Sequence, residues 1–174
     1  MNRIQTGGKL ISQGAYGCVF YPSLNCDGTT NSRGNKSVTK IQELNFAALN
    51  EDKINKIIKT IPKYTYHFAP LSIKCNDIYV SQLKDGLFTE CDAINKIQSD
   101  TKVVTMNGPY IENLKLYDNF QSTKNIEQLA FKIFKVYEHV LEAIKKMQSK
   151  DIVHFDLKSS NIVQLSEPLV SLPN

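Results

Sequence analysis

Residues 154–161, His-Phe-Asp-Leu-Lys-Ser-Ser-Asn, hold the densest set of groups able to do chemistry in this chain. Asp156 offers a carboxylate that can accept a hydroxyl proton. Lys158 offers a cation for a transferring phosphate, Asn161 an amide oxygen for a metal ion, and His154 a side chain to brace the loop. A base, a cation and a metal ligand on one polar loop suit phosphoryl transfer, where catalysis is mostly positioning and neutralisation of charge. One motif is only a hypothesis until its context is found elsewhere in the chain.

Such groups must be carried by ordered elements. The loop lies between the apolar pairs Ile152-Val153 and Ile162-Val163. Before it, Ile126, Leu129, Ala130, Ile133, Val136, Tyr137, Val140, Leu141, Ile144 and Met147 recur at three- and four-residue steps, which predicts a long amphipathic helix. Asn125 followed by Gln128 resembles its N-terminal cap. A stripe of this length needs partners, and the chain supplies few after Asn161, so an exposed apolar surface able to drive association is expected.

The N-terminal part reads as strands around one helix. Lys9 to Tyr21 is strand, turn, strand, with Gly14 and Gly17 permitting a tight turn whose N–H groups can face phosphates. Residues 22–36 are rich in Asn, Ser, Gly and Thr and read as a loop. Residues 37–42 alternate as a half-buried strand, with Lys40 on the face of Val38. Phe46 to Ile61 has a helical stripe of Leu49, Ile54, Ile57, Ile58 and Ile61, stopped by Pro62. Asn50 either caps that helix or lies within it. Glu51 shares a face with Ile54 and Ile58 and would point toward the sheet, or else it is a solvated acid favoured by the helix dipole. Glu43 is the other acid nearby. Residues 78–83 read as a strand and 89–98 as a short helix with Cys91, Ile94 and Ile97 on one face. Residues 102–106 read as a strand that Asn107-Gly108-Pro109 breaks, and 111–120 as a weak helix.

With 174 residues, 41% of them apolar and 22% charged, the composition is that of a globular domain with a sizeable core. A net charge of +4 gives no argument for nucleic acid as a partner. Lys53, Lys56, Lys59 and Lys63 read as the wet side of a helix. No long apolar run predicts a membrane span, and the N-terminus has no signal-peptide core. Cys18, Cys26, Cys75 and Cys91 show neither Cys-x-x-Cys nor zinc-finger spacing, so the expectation is reduced thiols in an intracellular, cytoplasmic protein.

In this order, the motifs resemble the eukaryotic-type serine/threonine protein kinase family. Gly14-Ala-Tyr-Gly17-Cys-Val19 looks like the glycine-rich loop and Val38-Thr39-Lys40 like the third-strand lysine motif. His154-Phe-Asp156-Leu-Lys158-Ser-Ser-Asn161 looks like the catalytic loop and matches the family's His-x-Asp-Leu-Lys-x-x-Asn. The overall tone, with Gly-Ala-Tyr-Gly-Cys-Val-Phe-Tyr-Pro and a later Ile-Pro-x-Tyr, is similar to kinases of large DNA viruses, which would place the protein in host cytoplasm or virion. The resemblance implies an α+β fold. An N-lobe of antiparallel sheet with one helix would occupy residues 1–109, and the first part of a helical C-lobe residues 110–174. It implies ATP and Mg2+ as cofactors and a protein hydroxyl as substrate. Backbone at Gly14 and Gly17 would cover the phosphates, and Lys40 would contact them while pairing with a helix glutamate, Glu51 before others. Val19 and Thr105–Met106 would line the adenine pocket. Asp156 would orient the hydroxyl, Lys158 mark the serine/threonine class, and Asn161 bind a magnesium ion.

Three departures from the family pattern carry their own expectations. Ser12 stands where the first glycine of the loop is usual, which stiffens its start. Phe155 replaces the arginine before the catalytic Asp, so activation by loop phosphorylation is not expected. The chain stops at Asn174, about where Asp-Phe-Gly would begin, so a truncated or split kinase is expected, with a separate chain supplying the remaining C-lobe. The alternative is a pseudokinase or nucleotide-binding interaction module without catalysis.

Overall fold

The computed structural model describes residues 8–29, 31, 36–83, 90–111, 113–115 and 120–165. It is an α+β structure that divides into two compact units, one of Met1–Thr60 with Ala69–Tyr110, the other of Ile61–Phe68 with Ile111–Asn174.

The first unit is built on a five-stranded antiparallel sheet of order β1-β2-β3-β5-β4. Its strands are β1 (Lys9–Gly14), β2 (Gly17–Tyr21), β3 (Ser37–Glu43), β4 (Ser72–Tyr79) and β5 (Lys102–Pro109). Helix α1 (Phe46–Ile58) follows β3, and the short α2 (Asp92–Asn95) lies between β4 and β5. β3 pairs with β2 on one side and β5 on the other, so its alternate residues serve two cores. Ile41 joins Cys18, Phe20, Cys91, Ile94 and Val103 on one face. On the other, Val104 and Met106 pack against Ala48 of α1.

Several boundaries differ from the sequence reading. β4 begins six residues before the strand expected at 78–83, and Val80–Gln82 is a single 3-10 turn. The alternation is hidden because β4 is irregular against β5 between Ile73 and Cys75 and between Cys75 and Ile78, with Asp77 at φ 68°. β5 runs through the expected breaker, and Gly108 and Pro109 pair with Val38 and Ser37. A Cβ at Gly108 would meet the end of the Leu71 side chain, which would have to shift to admit it. α2 keeps the expected face, with Cys91 and Ile94 buried, but spans only four residues.

α1 is capped by Asn45, whose side chain accepts from the Ala48 N–H at 3.1 Å, and Asn50 lies inside the helix. Its buried residues are Ala48, Asp52 and Ile58, whereas Leu49, assigned to the inner stripe from periodicity, is 53% exposed. The inner face follows the i, i+4 row through Asp52, a charged residue that a hydrophobicity pattern counts as outside.

The cysteines correct the expectation of reduced thiols. Cys18 is joined to Cys91 and Cys26 to Cys75, with Cα separations of 6.0 and 5.8 Å. Each pair is distant in sequence, one partner on a strand and the other outside the sheet, and adjacent only in the fold, so spacing motifs could not show it. Disulfides fit a non-reducing environment.

In the second unit, α3 (Ile126–Gln148) is the long helix expected, with the Asn125 side chain accepting from the Gln128 N–H at 2.9 Å. The weak helix read over 111–120 is corrected in part. Residues 113–115 form strand β6, which pairs antiparallel with β7 (Val163–Leu165). Residues 112 and 116–119 lie outside the described residues. No helix among the described residues is long and apolar enough to cross a membrane.

Candidate functional site

In the first unit the expected residues gather around the hairpin of β1 and β2. Gly14 and Gly17 close it as register partners, and Ser12 stands opposite Val19. Gly17 is required by close approach, since a Cβ there would overlap the Ile41 carbonyl oxygen, whereas Gly14 faces open space. Val19 in turn is the register partner of Lys40 on β3, and Lys40 of Met106 on β5.

Lys40 and Glu51 meet. The Lys40 ammonium donates to both Glu51 carboxylate oxygens, at 2.8 and 2.6 Å. Both side chains are partly open to solvent, so the contact orients Lys40 more than it stabilises the fold. Gln42, one pleat along from Lys40, also donates to Glu51 at 3.2 Å, and its amide lies 3.7 Å from the Met106 sulfur. Glu51 is thus turned to the sheet, and Glu43 is exposed at the end of β3.

Asp52 holds α1 in that rotation. It is 5% exposed, accepts the Ile73 N–H of β4 at 3.1 Å and pairs with Lys56 at 2.6 Å. Burial alone would raise its pKa. The hydrogen bonds from Lys56 and the Ile73 N–H, with the charges of Lys56 and Lys59, outweigh burial and hold the carboxyl below its ordinary range. Sequence reasoning passed over Gln42 and Asp52. Their signals were the i+2 position to Lys40 on a strand and the i+4 position to Ala48 on a helix.

In the second unit residues 154–161 form an ordered polar loop on the surface, ending in a 3-10 turn over Ser159–Asn161. The Asn161 amide donates to the backbone oxygen of Asp156 at 2.8 Å and to its carboxylate at 3.1 Å. Lys158 pairs with the same carboxylate at 3.0 Å. His154 Nδ1 accepts from the Asp156 N–H at 3.2 Å. The hydrogen bond from Lys158, then that from Asn161, lowers the Asp156 pKa, so Asp156 is an anion at neutral pH. Phe155 is 94% exposed. His154 also borders a shallow hollow with Ile144, Met147 and Leu157.

No group of three or more His, Cys, Asp or Glu among the described residues is arranged to hold a metal. With its nitrogen committed to Asp156, Asn161 has its amide oxygen left for a cation, and Asp156 is the adjacent carboxylate.

One cluster went unread in the sequence. His67, of the second unit, has a side chain only 6% exposed, its ring 4.4 Å from that of His139 and its Nε2 3.5 Å from a Glu142 oxygen. Burial, then the charge of His139, lowers its pKa. Isolated histidines give no spacing signal when one lies on a turn and the other on a helix.

No protein-family model matches the sequence, and no curated protein matches it either.

Proposed function

We propose that the chain is a kinase-like protein of the serine/threonine type, in which the first unit binds the phosphates of ATP and the second carries the residues for transfer to a protein hydroxyl. The observation that carries this reading is the contact of Lys40 with both Glu51 oxygens, on the strand beside the glycine hairpin. A lysine held this way is a preorganised cation for phosphate oxygens, while Gly14, exposed and with open space where a side chain would stand, leaves the backbone of the turn unshielded.

In transfer, the substrate hydroxyl oxygen attacks the γ-phosphorus and the bond to the bridging oxygen of the leaving diphosphate breaks. Asp156, held by Lys158 and Asn161, orients the hydroxyl and takes its proton. Lys158 offsets the charge that develops on the phosphoryl group. Asn161 would be the residue that holds a magnesium ion, which would supply neutralisation of phosphate charge.

The second reading, a nucleotide-binding module without transfer, is favoured by the completeness of the Lys40–Glu51–Gln42 arrangement within the first unit alone. A partner chain covering the exposed residues of α3 belongs to both readings. The paired cysteines favour an oxidising setting, such as a virion, over reduced host cytoplasm.

The test is phosphate transfer from ATP to a generic protein substrate, alongside ATP-dependent thermal stabilisation. Transfer that disappears in Asp156→Asn, with stabilisation kept, supports the kinase reading. Stabilisation without transfer in the wild type leaves the binding module. Absence of both overturns the proposal.

A further inference from the structure

The glycine hairpin is tied at its base to one short stretch outside it. Gln13 and Cys18 are register partners, the rung next to Gly14 and Gly17. Cys18 is bonded to Cys91. Gln13 meets the next residue, Asp92, twice: its amide nitrogen donates to the Asp92 carboxylate and its oxygen accepts from the Asp92 N–H, each at 3.4 Å. Residues 91–92 therefore hold both strands at one rung. α2, which they begin, has four residues and is too short to persist without tertiary support. The bridge to Cys18 and the burial of Ile94 supply that support. The Cys26–Cys75 bridge joins the segment after β2 to β4 and does not touch the turn.

We infer that the Cys18–Cys91 disulfide is a redox-sensitive clamp on the glycine turn. Closed, it fixes the Gln13–Cys18 rung and restricts residues 14–17. Opened, it frees α2 from β2 and loosens the turn. Opening by a dithiol is balanced: one reductant thiolate attacks a cysteine sulfur and expels the other, and the second reductant thiol then closes its own disulfide and frees the first. Two electrons pass to the protein, and its two thiolates take up two protons. Cys18 and Cys91 are fully buried whereas Cys26 is exposed, so dithiol opens Cys26–Cys75 first and reaches the clamp through transient local opening around it. That the turn holds nucleotide rests on the function proposed above; its mobility does not.

The experiment is hydrogen exchange by mass spectrometry on the full chain, with dithiothreitol as the dithiol and alkylation to report which bridge is open. Opening of Cys18–Cys91, by dithiothreitol or in Cys18→Ala/Cys91→Ala, is expected to speed exchange over 13–19 about tenfold relative to 103–106. Cys26→Ala/Cys75→Ala is expected to leave that ratio unchanged. An unchanged ratio with Cys18–Cys91 open, or four free thiols in the protein as isolated, overturns the clamp. If the double variant does not fold, dithiothreitol on Cys26→Ala/Cys75→Ala opens Cys18–Cys91 alone and gives the same comparison, and Gln13→Ala tests the polar half with the bridge intact. ATP titration on the same samples separates the two ideas. Binding that weakens on opening supports both, whereas no binding in either state, with the exchange change present, overturns the nucleotide reading and supports the clamp.

Discussion

Lys40 reaches Glu51 across only eleven positions because β3 turns directly into α1 at Asn45, which caps the helix through the Ala48 N–H. The second turn of α1 then brings Glu51 over the strand it follows. Lys40→Ala is expected to abolish ATP-dependent thermal stabilisation while leaving the melting temperature without ATP nearly unchanged, since the pair is partly solvated. A fall of several degrees in the ligand-free protein would show a structural lysine instead. Asp156 is expected to be insensitive to mild acid. Its pKa is lowered, so it stays ionised until pH falls through the carboxylate range, and an acid limb of any transfer rate near neutrality must come from another group. These side chains were legible from residue types and order. Gln42 and Asp52 were not, because each acts through a partner that sequence does not place.

At the scale of elements, α1 depends on Asp52 for its rotation. Asp52→Asn is expected to lower stability by about 1–3 kcal/mol in urea unfolding. Its folded pKa lies below the ordinary 3.8. Its contribution is therefore complete above that value and lost as pH falls through the folded pKa, a loss the Asn variant should not show. α3 presents the opposite situation. Its helix and its cap followed from periodicity, and so did the expectation of an unburied stripe. Of that stripe only Met147 is buried, while Ile126, Ile133, Tyr137 and Leu141 are exposed, as are Phe131 and Phe134 beside it. Phe131→Ser/Phe134→Ser is expected to shift sedimentation toward monomer without loss of helicity. A wild type that sediments as a monomer at high concentration would remove the reason for a covering partner. β4 and β6 were misplaced because irregular pairing and a three-residue length leave too little alternation to read.

For the whole molecule, two features set the conditions in which it is stable. The disulfides close long segments, with separations of 73 and 49 residues. Removing Cys26–Cys75 is expected to cost about 4 kcal/mol on the chain-entropy account, measured as a lowered urea midpoint for Cys26→Ser/Cys75→Ser. His67 sets an acid limit in the second unit. Burial and His139 depress its folded pKa below 6.5, so the unfolded chain binds more protons in that window. Stability is full above about 6.5 and declines as pH falls toward the folded value. His67→Phe, which keeps a ring in place, should flatten that decline in thermal melts between neutral and mildly acidic pH. An unchanged slope would place the acid sensitivity elsewhere.

The sequence by itself determined the polar loop at 154–161, the glycine hairpin, the lysine strand, and the extent and cap of the long helix. All of these rest on local periodicity or on groups close together in the chain. The tertiary structure decided which acid faces Lys40, which side of α1 is buried, where β4 lies, and that four cysteines form two pairs. Each of those depends on which strands become neighbours, and the β1-β2-β3-β5-β4 order joins residues whose separation along the chain carries no local signal.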